Sequence, residues 1–182
     1  LIQDARRHDV TVLPVDVNQS LWDHQLLDSR STVHTQPPLR LGLRLVKGLS
    51  KSGAERIVEQ RWKNPYRQIS DLRVRAQLNK RDMEALADAD ALASISGHRH
   101  QSQWQIMALE EARPLLQDEH RQRADFFNDN IVLPALGIAE EVLADYRATG
   151  VTLRAHPMSL LRHKSPFNRC KRYSDLAQVG NN

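Results

Sequence analysis

The sequence predicts a mainly α protein of short helical hairpins in tandem, and three observations carry that prediction. Apolar residues recur at helical spacing in separate stretches, most clearly Ala54, Ile57 and Val58, and then Met83, Leu86 and Ala87. Glycine is scarce, 7 of 182 residues, and aromatic residues make up 5%; an all-β sandwich or barrel needs more turns and more strand formers. Hydrophobic residues reach only 40% and the mean hydropathy is -0.57. That composition suits small helical units joined by linkers better than one deep core.

Four regions follow in order. Residues 1–38 form a short α/β segment: the end of a helix over Leu1 to His8, a strand pattern at Val10 and Val12 stopped by Pro14, a turn from Pro14 to Asn18, and a polar loop from Ser29 to Pro38. Residues 39–97 hold the hairpins. Leu39, Leu41, Leu43 and Leu45 alternate with Arg40 and Arg44, as a strand or as a strand running into a short helix. From Lys51 a helix is expected, capped by Ser50, with Ala54, Ile57, Val58 and Trp62 inward, Glu55, Arg56 and Glu59 outward, and Asn64-Pro65 at its end. Ser70 or Asp71 caps a short helix through Leu72. Asn79 starts another, three residues before Asp82, like a capping box with short side chains. Residues 98–135 supply a helix from about Gln101 to Ala112, with Trp104, Met107 and Ala108 inward, and a charged linker from Gln117 to Asn130. Residues 136–182 form a helical connector: a helix over Ile138 to Ala148 with Val142, Leu143 and Tyr146 on one side, closed by Gly150, then a basic tail from His163 that is expected to be loose.

The formal charge of +4 and the pI near 9.5 fit a polyanionic partner. The single Cys170 rules out an internal disulfide and points to a reducing compartment, so the cytoplasm is expected. No stretch is apolar enough to span a membrane, and no signal peptide pattern is present. The chain starts at Leu1 within an amphipathic pattern, which reads as a piece of something longer.

The chemistry sits in Leu43 to Val58. Val46, Lys47, Gly48, Leu49 and a small residue, Ser50, lead into a helix whose first buried residue is Ala54. This is the form of a helix-hairpin-helix. Gly48 permits a backbone closed to bulkier residues and lets a phosphate come close. Leu49 plugs the turn into the core. Amides around Leu49 to Lys51 are expected to stand free at a helix start, which binds anions readily. Arg44, Lys47 and Lys51 add charge. Such a unit holds backbone phosphates and ignores base sequence. The alternative is a plain turn between helices with a glycine in the bend, and spacing alone does not choose between them. The blocks Leu43 to Val58 and Leu72 to Leu86 are candidate copies of one unit, the second degenerate, with Lys80 and Arg81 at its helix start.

Other constellations are weaker. Asp88 and Asp90 resemble paired metal-binding carboxylates, but on a helix they diverge by roughly 200°, and a solvated helix end is expected. His98 and His100 lack further zinc ligands at suitable spacing; His163 and Cys170 are far away. Ser96-Gly97 lacks a nucleophile elbow, and no Gly-rich nucleotide loop is present. No catalytic residue and no metal site are expected. Phe126 and Phe127, in a charged linker, are either a docking peptide or an anchor on the domain's own core.

Taken together, Asp4 to His8, Val15 to Asn18, Ser20 to Asp23, Leu41-Gly42-Leu43, Val46 to Leu49, Ala54 to Val58, Asp145-Tyr146-Arg147, Gly150 and His156-Pro157-Met158 resemble the C-family bacterial DNA polymerases of the error-prone type. The likeness covers nearly the whole chain, from the end of the fingers region to the connector before an OB fold. It implies duplex DNA as partner and, in the whole protein, magnesium-dependent two-metal nucleotidyl transfer with low fidelity and lesion bypass, in company with mutagenesis proteins. The catalytic palm of that family lies upstream of the matching segment, so no cofactor is implied in this chain. The likeness also implies a sliding-clamp peptide at Arg123, Ala124, Asp125, Phe126 and Phe127, with Arg123 in place of the family's glutamine. Asp9 and Asp90 stand where the family usually has glycine.

Overall fold

The computed structural model describes residues 2–27, 36–111 and 132–170. Helix α1 (Ile2–Arg7) leads into β1 (Val12–Leu13), β2 (Gln25–Leu26) and β3 (Leu39–Arg40). The strands make one small sheet in the order β1-β3-β2. β1 runs parallel to β3, with Val12 opposite Leu39, and β2 runs antiparallel, with Gln25 opposite Arg40. A 3-10 turn (Leu43–Leu45) follows β3, so the Leu39 to Val46 alternation resolves as a strand running into a short helix. Gly42 allows this: a Cβ there would lie 2.4 Å from the Trp22 carbonyl oxygen.

Helices then dominate: α2 (Lys51–Arg61), α3 (Ile69–Arg75), α4 (Lys80–Asp88), α5 (Ala93–Ser96), α6 (Arg99–Glu111), α7 (Ile138–Ala148) and α8 (Pro157–Leu161), with a 3-10 turn at Phe167–Arg169. The fold is mainly α, with the sheet confined to the N-terminal segment. Its core joins Val12 and Val17 to Leu43, Leu49, Ile57, Leu72, Leu78, Met83, Leu86 and Leu92. Arg61 ties α2 to the N-terminal segment by donating to the carbonyls of Val17 (3.0 Å) and Ser20 (2.6 Å); burial pulls its pKa below the ordinary arginine value. Tyr66 donates to the Ile57 carbonyl at 3.0 Å. Burial raises its pKa, against the nearby Arg75 charge. Among the described residues no helix is long and apolar enough to cross a membrane.

Several local expectations need correction. α3 begins at Ile69 with Gln68 as its cap, rather than at Ser70 or Asp71. Trp62 lies just past α2 and is 77% exposed, and on α6 Trp104 and Met107 face solvent. On α7, Val142 is buried but Leu143 and Tyr146 are largely exposed. The cause is common to both long helices: their inward faces are polar. α6 buries Arg99, Gln101 and Ser102 beside Ile106, and α7 buries Glu141 and Asp145 beside Val142 and Ala148.

Those polar faces meet. Arg99, 1% exposed, forms ion pairs with Glu141 and Asp145. Arg154 pairs with Asp145 and Asp90, each at 2.7 Å, and with Glu141 at 3.0 Å. Burial opposes the Arg154 charge, but the hydrogen bonds it donates to Asp90 and Asp145 outweigh it and raise its pKa. Asp90 is therefore a partly buried ion-pair partner of Arg154 rather than a solvated helix end. One of its oxygens, Oδ1, is buried without a hydrogen bond.

Candidate nucleic-acid interface

The first hairpin turns at Gly48, whose φ of 92° is left-handed and favours glycine. Leu49 follows, 8% exposed. Ser50 takes an extended backbone and caps α2, its hydroxyl accepting from the Gly53 amide at 3.0 Å. The second hairpin repeats each step 29 residues later. Gln77 takes the left-handed φ of 48°, Leu78 is 5% exposed, and Asn79 caps α4 by accepting from the Asp82 amide at 2.8 Å. Gln77 stands where the first copy has glycine, which is why composition hides the repeat.

The two turns clasp each other. From α2, Arg56 donates to the carbonyls of Ala76 (2.7 Å) and Gln77 (3.1 Å); it is not the solvated residue expected from periodicity. From α4, the equivalent position is Ala85, and a Cβ on Gly48 would lie 3.6 Å from its methyl group. Asp82, 1% exposed, reaches across to accept from the Ser50 amide (2.8 Å) and hydroxyl (3.1 Å). Gly53 makes room for it, since a Cβ there would come within 2.9 Å of Oδ2. The capping box expected at Asn79 is therefore half made: Asp82 spends its carboxylate on the other hairpin.

This changes the donor set at the first turn. The Leu49 amide is directed at the Val46 carbonyl at 3.3 Å and the Ser50 amide is held by Asp82. Of the three amides expected to be free, only that of Lys51 is open. The amides of Gly48 and Ser52 also carry no hydrogen bond among the described residues.

The cations divide into two groups. Lys47 turns away: its ammonium donates to the Tyr146 carbonyl at 3.1 Å and its amide to the Ala148 carbonyl at 2.9 Å. It caps the C-terminal end of α7, where a positive charge is favoured. Arg44 pairs with Asp23 at 2.6 Å on the surface. Lys51, Lys80 and Arg81 stay at the two helix starts. Lys51 and Lys80 make exposed pairs with Glu55 (3.9 Å) and Glu84 (3.7 Å), each worth little and easily exchanged for a phosphate. Arg81 is exposed. Its Nε lies 4.0 Å from the Cβ position of Gly48, so the second helix start overhangs the first turn.

Among the described residues, no group of three or more His, Cys, Asp or Glu is arranged to hold a metal ion. His98 and His100 instead lie against the carbonyls of Leu133 and Pro134. Arg123, Ala124, Asp125, Phe126 and Phe127 fall outside the described residues.

A family model described as "Helix-hairpin-helix motif" matches residues 9–102. The chain is 44% identical over 182 residues to an error-prone DNA polymerase of Saccharophagus degradans, which covers 100% of this chain and 17% of the relative. It is 40% identical over 177 residues to that of Teredinibacter turnerae, covering 97% of this chain, and 39% identical over 180 residues to that of Pseudomonas aeruginosa, covering 99%. The chain spans 17% of the length of each of these relatives.

Proposed function

Because the chain belongs to the helix-hairpin-helix family, we propose that it grips duplex DNA through backbone phosphates, without sequence preference, as part of an error-prone DNA polymerase. One observation carries the reading. Two equivalent turns bring two helix starts together, with open amides at Gly48, Lys51 and Ser52 and exposed cations at Lys51, Lys80 and Arg81. Unpaired amides and a helix dipole attract an anion, and lysine and arginine beside them neutralise it.

In the whole protein, DNA synthesis belongs to this proposal through the relatives' name, error-prone DNA polymerase, and magnesium-dependent nucleotidyl transfer and lesion bypass belong to it through the family resemblance of the sequence. The chain itself binds rather than catalyses, so a primer-extension assay on it should read zero. Phe126 and Phe127, on which the alternative of docking on a sliding clamp rests, fall outside the described residues.

The test is duplex binding by fluorescence anisotropy over a salt series. Each hairpin neutralises roughly two or three phosphates, so the log–log slope should be about -2 to -3, and oligonucleotides of different sequence should bind alike. Gly48→Val forces a branched side chain into a left-handed backbone, at a cost of about 1–3 kcal/mol, and should abolish binding while the chain still melts cooperatively. Unchanged binding by that variant makes the hairpin a structural element only.

A further inference from the structure

We propose that a second groove, lying between α1 and the α8 segment and apart from the hairpins, binds single-stranded nucleic acid. These two elements face each other across an open cleft of about 910 Å³. One wall carries Arg6 and Arg7; the other carries His156, Met158, Arg162 and His163. Among the described residues no carboxylate lines it. Arg6 and Arg7 are exposed, and their side chains make no ion pair or hydrogen bond within the described residues. Among the described residues Arg162 donates to the Cys170 carbonyl, at 3.3 Å, and meets no carboxylate.

Three guanidinium groups facing one another with no counter-charge among the described residues repel, and a polyanion relieves that repulsion. The rest of the lining selects its form. Met158 and the two imidazoles offer flat or polarizable faces among the cations, and stacking surfaces between backbone-tracking charges are the pattern of single-strand binding. A duplex hides the faces of its bases within the stack, out of reach of such surfaces. None of these residues belongs to the hairpin interface, so the groove stands or falls independently of the duplex reading.

The experiment uses the 182-residue chain and a fluorescein-labelled oligothymidylate of about 15 nucleotides at about 50 mM salt. The parent chain should bind. Arg6→Gln/Arg7→Gln should weaken binding more than about tenfold and make the salt slope shallower by about 1.4, at about 0.7 per phosphate neutralised on a single strand. Arg162→Gln, on the opposite wall, should act in the same direction by about half as much in slope. A control with the same charge loss elsewhere, Lys63→Gln/Arg67→Gln, should bind like the parent, and duplex affinity should be kept by all variants. All changed side chains are exposed except half-buried Arg162, and thermal melts confirm that each variant folds. The proposal is overturned if the parent fails to bind the oligothymidylate, if the control weakens it as much as the cleft variants, or if the cleft variants lose duplex in step with single strand. Binding of the cleft to anionic vesicles instead of the oligonucleotide overturns it as well.

Discussion

The two hairpins differ in a way that reverses their apparent strength. The first has the glycine, the cap and the expected lysines, yet Asp82 already occupies part of its helix start and Lys47 is committed to the end of α7. The second has glutamine in place of glycine and reads as degenerate, yet Lys80 and Arg81 stand exposed at its helix start. A glycine at the bend thus reports backbone geometry. Electrostatic readiness for a phosphate is a separate property, set by which carboxylates have reached the amides first.

The sharpest way to break this comparison is Asp82→Ala. It strands the Ser50 amide and hydroxyl and should cost about 1–3 kcal/mol of stability, read as a lower midpoint in denaturant. At the same time it removes a negative charge from a helix start, worth ~0.3–1 kcal/mol, so duplex affinity should rise about two- to fivefold. A fall in affinity together with stability would mean that the cross-cap is needed to shape the turn, and that the first hairpin is the dominant one after all. Lys80→Ala/Arg81→Ala against Lys51→Ala comes next. Each phosphate left without its cation should make the duplex salt slope shallower by about 0.9. The double variant should lose about two such steps and Lys51→Ala no more than one. Equal losses would put the two turns on a par. The smallest effect is expected from Gln77→Gly, which relieves a left-handed non-glycine residue; a gain of up to about 1 kcal/mol in chemical denaturation sharpens the view that the second turn is the first one with a poorer residue at its bend. A loss of stability would give the Gln77 side chain a structural role.

Reading the residues reached as far as local rules reach. Ser50, Asn79 and Gly150 announce their caps because the bond runs to a residue three or four positions away, and Gly48 announces its turn because few other residues accept that φ. The second turn was legible only by its neighbours, Leu78 and Asn79. What escaped was whatever depends on a distant partner. Asp82 meets Ser50 across 32 residues and Arg56 meets Ala76 across 20. Arg99 finds Glu141 and Asp145 across 42 and 46. Hydropathy put Trp104 and Tyr146 inward because it ranks side chains one at a time, and a buried arginine is favourable only once its carboxylates are in place. Asp9 and Asp90 are intermediate: the family's glycine at those positions hinted at the left-handed φ of 58° and 56° that both adopt. No local signal indicated that Asp90 would also anchor Arg154.

That interior cluster, two arginines shared among Asp90, Glu141 and Asp145, has an evolutionary corollary. Deleting Arg99, the most deeply buried member, leaves the Glu141 and Asp145 carboxylates with only the half-exposed Arg154, typically a loss of about 3–5 kcal/mol, a large share of the stability of a domain this size. Drift at these five positions should therefore proceed by compensated exchange, one substitution rescuing another. Related chains should vary there in concert while the surface lysines around them change freely.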